Sequence, residues 1–432
     1  MNRRILKLAI PSILANISVP LVGMADIAVA GRLGNAAAIG AIAVGTMLFD
    51  LMYWGFSFLR VGTGGLTAQA YGRRDMQGAM THFTRGIATS AASAALIIAI
   101  QWVFVDFAFL FIDCSPEVEA LSRQYFFIRV WAAPATLSLM AFKGWFIGMQ
   151  NTVSPMVVDI TVNVVNVGAS IWLGLYTPMG FTGIAIGTVI AQFSGLLLSI
   201  ILLWVKYRDL FVHIDVRRDV RISEMKPYFK MNGDLFLRAL CFMAIYCGYT
   251  TIAARFGDVQ LAVSSIMMKL LMLYSYFTDG FAFAGEALVG RYIGADDRSS
   301  LTDAVKLIFK WCAGIVVIST CVYQLCGEWL VRLMTNEPDV LLASRSFLIW
   351  LTLMPLFSCM AFVWDGIFIG ATASTSIRNS MIWSVVAFYL VWFALRSQTG
   401  IQTLYIAYFA HLIARDIYLT VKAKKDVFSK VS

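Results

Sequence analysis

The sequence predicts an all-α integral membrane protein, with twelve transmembrane helices in two pseudo-symmetric six-helix lobes. Three observations carry this. Of 432 residues, 59% are hydrophobic and only 14% charged, where soluble domains carry roughly 25% charged residues. The apolar residues fall in long runs, each near the roughly 20 residues that cross a bilayer as helix. Motifs in the first half recur in the second at a nearly constant offset: KGWFIG (Lys143–Gly148) with DGIFIG (Asp365–Gly370), GRLG (Gly31–Gly34) with ARFG (Ala254–Gly257), and AYG (Ala70–Gly72) with YIG (Tyr292–Gly294).

The elements follow in order. The first span, 5–30, comes after Arg3, Arg4 and Lys7; its apolar run is too long for a cleavable signal and has no small-residue cleavage site, so it is expected to stay. Span 36–66 ends before Arg73 and Arg74, and 83–112 runs into the acidic loop DCSPEVEA. Spans 124–149, 154–175 and 180–205 complete the first lobe. The longest polar interruption, Val205–Pro227, holds Lys206, Arg208, Arg217, Arg218, Arg221 and Lys226. Spans 228–253 and 258–290 follow, closed by Arg291 and Arg298; then 302–327 leads to the acidic TNEPDV, and 343–371, 378–397 and 400–421 end in a lysine-rich tail. Basic loops alternate with acidic or neutral ones, so the positive-inside rule places both termini in the cytoplasm of a multi-pass protein in the inner or plasma membrane. The expected division is 1–205 (N-lobe), 206–227 (cytoplasmic linker), 228–421 (C-lobe) and 422–432 (basic cytoplasmic tail). The formal charge of +9 is thus a topology signal, with no nucleic acid expected as partner; small organic molecules and the lipid bilayer are, and the protein is expected to be monomeric. Both lobes start on the same side, so the repeat is parallel and a cavity is expected between them. Seven cysteines, mostly inside apolar runs, read as small buried hydrophobes and not as a disulfide framework.

Charges inside the spans each need a reason, because one at a helix centre costs about 2.5–3.5 kcal/mol on insertion scales. Arg60 and Arg129 read as pairing or headgroup-reaching residues near helix ends, and Asp234 and Arg238, one turn apart, as partners of each other. Asp50 is mid-span with no evident partner, and Lys143 and Lys269 are further basic candidates. Asp279 and Glu286 share a face of the eighth span, so at least one is expected to face the interior. Asp26 has no opposite charge within a turn; either another helix neutralises it or it takes up a proton or cation. In the fifth span Asn163, Asn166 and Ser170 form one polar stripe, and the sixth carries Thr188 beside a Gly183-xxx-Gly187 pair suited to close helix approach. These groups either bond helix to helix or join Asp26 in a site for a proton or hard monovalent cation. The histidines His82, His213 and His411 are isolated near predicted ends, and no HExxH or GxSxG occurs, so an enzyme is not expected.

The stretches LAIPSILANISVPLVGMADIAVAGRLG, FLRVGTGGLTAQAYG, NGDLFLRAL, DGFAFAGEALVGRYIGADD and DGIFIGATASTSIRNSM together resemble the DinF branch of the MATE (multidrug and toxic compound extrusion) exporters of the MOP superfamily, over nearly the whole chain. The resemblance implies two six-helix lobes and rocker-switch export of organic, cationic amphipathic compounds, driven by uptake of H⁺ or Na⁺. No cofactor is implied, and no metal beyond Na⁺ at Asp26. By that resemblance Asp26 is the coupling carboxylate, with Asn166 and Thr188 at matching cation-site positions; Ser170 stands where relatives carry a second acid, which favours H⁺ over Na⁺. Asp365 is the best match to a C-lobe cation site, with Asp234 weaker and Glu286 and Asp279 further candidates for a cation or substrate site. The pocket around Asp26 is expected to include Asn163, and the substrate cavity Met24, Met47, Tyr53 and Trp54, since Met-rich surfaces repack around varied ligands. Pro11 and Pro20 offer kink points in the first helix. The rival within the superfamily is a flippase for lipid-linked saccharides or lipids, which would want a strongly cationic cavity; the intramembrane acids argue against it, while Arg60, Arg129 and Lys143 keep it open.

Overall fold

The computed structural model of the protein describes residues 1–32, 36–112 and 114–431. Leu33 and Gly34 of the first repeat motif, Asp113 of the acidic loop and Ser432 of the tail lie outside the described residues. The chain is 91% helical with no strand among the described residues, so the backbone polar groups of each span are satisfied within their own helix, as a bilayer demands.

Sixteen α-helices run in order among the described residues: α1 Asn2–Arg32, α2 Ala36–Gly55, α3 Phe58–Gly72, α4 Met76–Phe109, α5 Pro116–Arg129, α6 Ala133–Gly148, α7 Val153–Leu175, α8 Phe181–Tyr207, α9 Val216–Asp219, α10 Ile222–Ala254, α11 Asp258–Gly294, α12 Arg298–Met334, α13 Pro338–Ser344, α14 Leu348–Gly370, α15 Ser374–Thr399 and α16 Gln402–Asp426. Among the described residues, eleven spans are long and apolar enough to cross a membrane. The expected twelfth, α16, forms as a helix, but its charged residues, Arg415 and Asp416 among them, keep it out of that set.

Several expectations are corrected. The second span is two helices, broken after Gly55 by a tight turn in which the Phe56 and Ser57 amides bond to Tyr53 and Trp54 carbonyls. Arg129 does end a helix, α5, but a 3₁₀ turn at Val130–Ala132 carries α5 into α6, so that end lies inside the Pro116–Gly148 span. Of the cysteines only Cys312 and Cys359 are buried; Cys247, Cys321 and Cys326 are exposed. The interruption after α8 is folded. Asp219 of α9 is buried against α4, its carboxylate accepting from Thr81 Oγ1 (3.0 Å) and Arg218 Nη2 (2.8 Å), while Arg85 Nε donates to its backbone carbonyl (2.9 Å).

The chain divides into two compact units, Leu14–Phe229 and a second made of Lys230–Ser432 together with Met1–Ile13. Within the second unit the start of α1 packs on α11: a Cβ added to Gly280 would lie 2.8 Å from the Ala9 carbonyl oxygen, and Arg4 donates to the Tyr292 hydroxyl (3.4 Å).

The internal repeat is written in local geometry. The close pair α3–α6 of one unit matches α11–α14 of the other, and α7–α8 matches α15–α16. Gly144 and Gly366 hold the same place in KGWFIG and DGIFIG; a Cβ there would sit 2.2 Å from the Arg60 carbonyl oxygen and 2.0 Å from that of Ala282. At the same offset Asp75 caps α4 through the Gly78 amide and Asp297 caps α12 through the Ser300 amide (2.8 and 2.9 Å). Even the left-handed non-glycine residues correspond: Arg74 (φ 60°) with Asp296 (φ 54°), and Gln150 (φ 61°) with Thr372 (φ 52°).

Candidate functional site

Two polar clusters are buried within the helical units, one in each. In the first, α1 carries Asp26, α7 carries Asn163, Asn166 and Ser170, and α8 carries Thr188. The spacing of Asn166 and Ser170 puts both on one face of α7, and α8 comes unusually close to it. A Cβ added to Gly187 would lie 2.8 Å from the Ser170 backbone nitrogen, so only glycine permits this approach. Asn166 Nδ2 donates to Thr188 Oγ1 (3.0 Å). Asp26, Asn166, Ser170 and Thr188 are all buried. Ser170 acts electrostatically on the Asp26 carboxylate, yet Asp26 Oδ1, Asn166 Oδ1 and Ser170 Oγ complete no hydrogen bond. Buried oxygens left this way cost about 1–3 kcal/mol each, and a proton or small cation is what such a group of acceptors can take up.

Asn163 is drawn elsewhere: its Nδ2 donates to Ser18 Oγ at 2.6 Å, tying α7 to α1 before Asp26 is reached. The counter-charge is Arg129, whose field reaches both Asp26 and Asp50. Its guanidinium lies over the Phe49 ring at 4.7 Å and donates to the Tyr125 hydroxyl at 3.0 Å. Of the proposed cavity residues, Met24 and Met47 are exposed and Tyr53 and Trp54 half-buried. Lys143 is taken by Asp159 of α7 (2.6 Å).

In the second cluster Asp365 of α14 is held by two guanidiniums, Arg238 of α10 and Arg415 of α16. Asp234 and Arg238 do not pair with each other. Asp234 instead fastens the start of α15, accepting from Arg378 Nη1 (2.6 Å), Ser374 Oγ (2.9 Å) and Thr375 Oγ1 (3.0 Å), which leaves its carboxylate committed to a structural tie. Glu286 is wholly buried, and Asp279 lines a cavity with Arg238, Asp365 and Arg415. His411 is not near an end: it is buried midway along α16, one turn before Arg415, with its ring 4.5 Å from that of Tyr408. The sequence reading missed Arg415. The signal available was a base one turn after His411 in an apolar helix, since i and i+4 share a face.

The MatE profile matches residues 11–169 and 235–396. The chain is 30% identical to DNA damage-inducible protein F of Escherichia coli over 95% of this chain and 90% of that protein. Its fold is similar to that of a MOP superfamily transporter from Pyrococcus furiosus (TM-score 0.88, 17% identity, 99% of this chain and 96% of that one). It is also similar to a multidrug resistance MATE family transporter solved in an outward-facing conformation (TM-score 0.86, 18% identity, 98% and 95%).

Proposed function

This chain belongs to the MatE family, and from that membership we propose a secondary active exporter that couples H⁺ uptake at Asp26 to the export of organic, cationic amphipathic compounds. At the coarser level the chain is a MATE-type multidrug efflux transporter and not an enzyme. The observation that carries the finer reading is the buried group of Asp26, Asn166, Ser170 and Thr188, which holds one formal charge and three oxygens without hydrogen bonds. A Na⁺ ion asks for several oxygen ligands and gains from a second carboxylate. A proton needs only Asp26, which favours H⁺. Taking up the proton removes the charge that Arg129 faces and frees α1 to rearrange. Pro20 supports this, because it lacks the amide that would bond the carbonyl one turn back and so weakens α1 there.

In this reading the two repeats alternate access to a substrate path that Met24, Met47, Tyr53 and Trp54 help line. The protein sits as a monomer in the inner or plasma membrane with both termini cytoplasmic. The test is dye efflux from proteoliposomes under an imposed pH or Na⁺ gradient. Asp26→Asn is expected to lose at least about 90% of pH-driven efflux. If it exports as well as wild type under both gradients, the coupling role fails. If lipid-linked saccharides flip and no tested cation moves, the flippase reading replaces this one; the pairing of Lys143 with Asp159 removes one base that reading would use.

A further inference from the structure

Two thiols of the second unit stand apart from the Asp26 reading. Cys312 of α12 and Cys359 of α14 are 0% and 6% exposed. On sequence alone each reads as a small hydrophobe, but the packing of α12 on α14 sets them face to face. The two helices run antiparallel: the Phe309 and Trp364 rings meet edge-on at 4.9 Å, and a Cβ at Gly327 would lie 3.1 Å from the Leu348 side chain. One turn on from Phe309 and about a turn and a half back from Trp364, the two thiols come within hydrogen-bonding reach of each other. Two further helices close the group. Tyr274 of α11 donates to the Pro355 carbonyl (3.1 Å), one turn before Cys359, and its hydroxyl borders the Cys359 sulfur. Asp416 of α16 acts on the same sulfur, and its Oδ1 is buried without a hydrogen bond. Thr420, one turn beyond Asp416, accepts from Trp364 Nε1 (3.0 Å), which holds this face of α16 on α14.

We propose that Cys312 and Cys359 are an oxidisable dithiol, a modification site at which an apolar organic hydroperoxide makes a disulfide between α12 and α14. A thiol must lose its proton to become a nucleophile, and a buried carboxylate oxygen without a partner gains by taking one; Asp416 is therefore the acceptor for Cys359. The Cys359 sulfur attacks the terminal oxygen of the hydroperoxide and the O–O bond breaks. The leaving alkoxide takes the proton from Asp416 and departs as an alcohol, leaving Cys359 as a sulfenic acid. Cys312 then attacks that sulfur, the S–O bond breaks, and water leaves with the Cys312 proton. Two thiols are oxidised by two electrons and one hydroperoxide is reduced to alcohol and water. Thiols already in contact need little helix movement to reach the S–S distance of about 2.05 Å. Depth selects the oxidant. Cys312 lies about 21 Å along α12 from Arg298, and Cys359 about 16 Å along α14 from Gly370, at about 1.5 Å per residue. An oxidant must therefore enter the apolar layer to meet them, which favours one carried on a hydrocarbon body.

The proposal goes beyond the reading of Asp26 and does not rest on it. The full chain in lipid nanodiscs is treated with cumene hydroperoxide, alkylated, digested without reductant and mapped by mass spectrometry. The peptides holding Cys312 and Cys359 are expected to be joined with the loss of two hydrogens, and dithiothreitol should separate them. Cumene hydroperoxide should form the link several-fold faster than hydrogen peroxide at equal concentration. Cys312→Ser is expected to leave Cys359 as a sulfenic acid that dimedone traps, and Asp416→Asn to slow the link by about tenfold or more. The map of the wild-type chain decides the pairing without any variant, so a variant that fails to fold does not protect the proposal. It is overturned if wild type forms no Cys312–Cys359 link, if Cys359 joins Cys247, Cys321 or Cys326 instead, if hydrogen peroxide is the faster oxidant, or if folded Asp416→Asn links at the wild-type rate. Because no gradient or transport enters the measurement, its failure is distinguishable from failure of Asp26 coupling.

Discussion

Asp26 brings one negative charge to a set of neutral oxygens, and Ser170 decides how far that set can go. Its hydroxyl sits on the same face of α7 as Asn166 and acts on Asp26 without completing a hydrogen bond. A carboxylate there would give a cation two charged ligands where it now has one. Ser170→Asp is therefore expected to make efflux respond to a Na⁺ gradient, with roughly tenfold tighter Na⁺ interaction, about 1.4 kcal/mol, in the proteoliposome assay. No gain under Na⁺ would show that these residues do not form one ligand set. The stripe of Asn166 and Ser170 was legible because helical periodicity alone groups residues within a segment. The ion-pair partners were not. Arg415 for Asp365, Arg378 for Asp234 and Asp159 for Lys143 are chosen by which helices pack together, and spacing along a single helix says nothing of that. The local pairing expected for Asp234 and Arg238 failed for the same reason: each found a better partner on another helix.

At the scale of elements, close helix approach does most to shape the first cluster. α8 reaches Ser170 because Gly183 and Gly187 present no side chain; a Cβ at Gly183 would lie 2.5 Å from the Leu173 carbonyl oxygen. Gly187→Val must push the helices apart, costing about 1–3 kcal/mol by overpacking. It should lower the melting temperature in detergent and break the Asn166–Thr188 bond that spans the same interface. A variant as stable and as active as wild type would mean that α7 and α8 need not touch there. The glycine pair was visible in the sequence because its spacing follows the helix turn. The division of one long apolar run into α2 and α3 was not, because hydrophobicity continues unbroken across Phe56. The docking of Asp219 onto α4 was hidden likewise: a polar linker and a polar strap have the same composition.

Across the whole molecule the repeat makes a symmetrical demand on packing and an asymmetrical one on chemistry. Gly144→Ala and Gly366→Ala each place a methyl group against a backbone carbonyl at 2.2 and 2.0 Å, so both should lose folded protein to a similar extent in a detergent melting assay. Gly168→Ala, where nothing lies within 4 Å, should be neutral or stabilise by up to about 1 kcal/mol through helix propensity. Unequal effects of the two repeat variants would show that the units tolerate strain differently. The motif match was legible because close approaches need glycine at fixed places. The lobe-specific charges were not, since Lys143 and Asp365 occupy the same repeat position with opposite sign. The placement of Met1–Ile13 with Lys230–Ser432 also bears on how the protein is made. The start of α1 is synthesised long before α11, on which it packs, so the ribosome must deliver every residue between Ala9 and Gly280 before the two meet. At synthesis rates of about 5–20 residues per second, the leading turns of α1 wait in the lipid for roughly tens of seconds without their final neighbour. Their apolar surface must be tolerable to the bilayer alone for that interval, which sets a constraint on those positions that the finished fold would not impose.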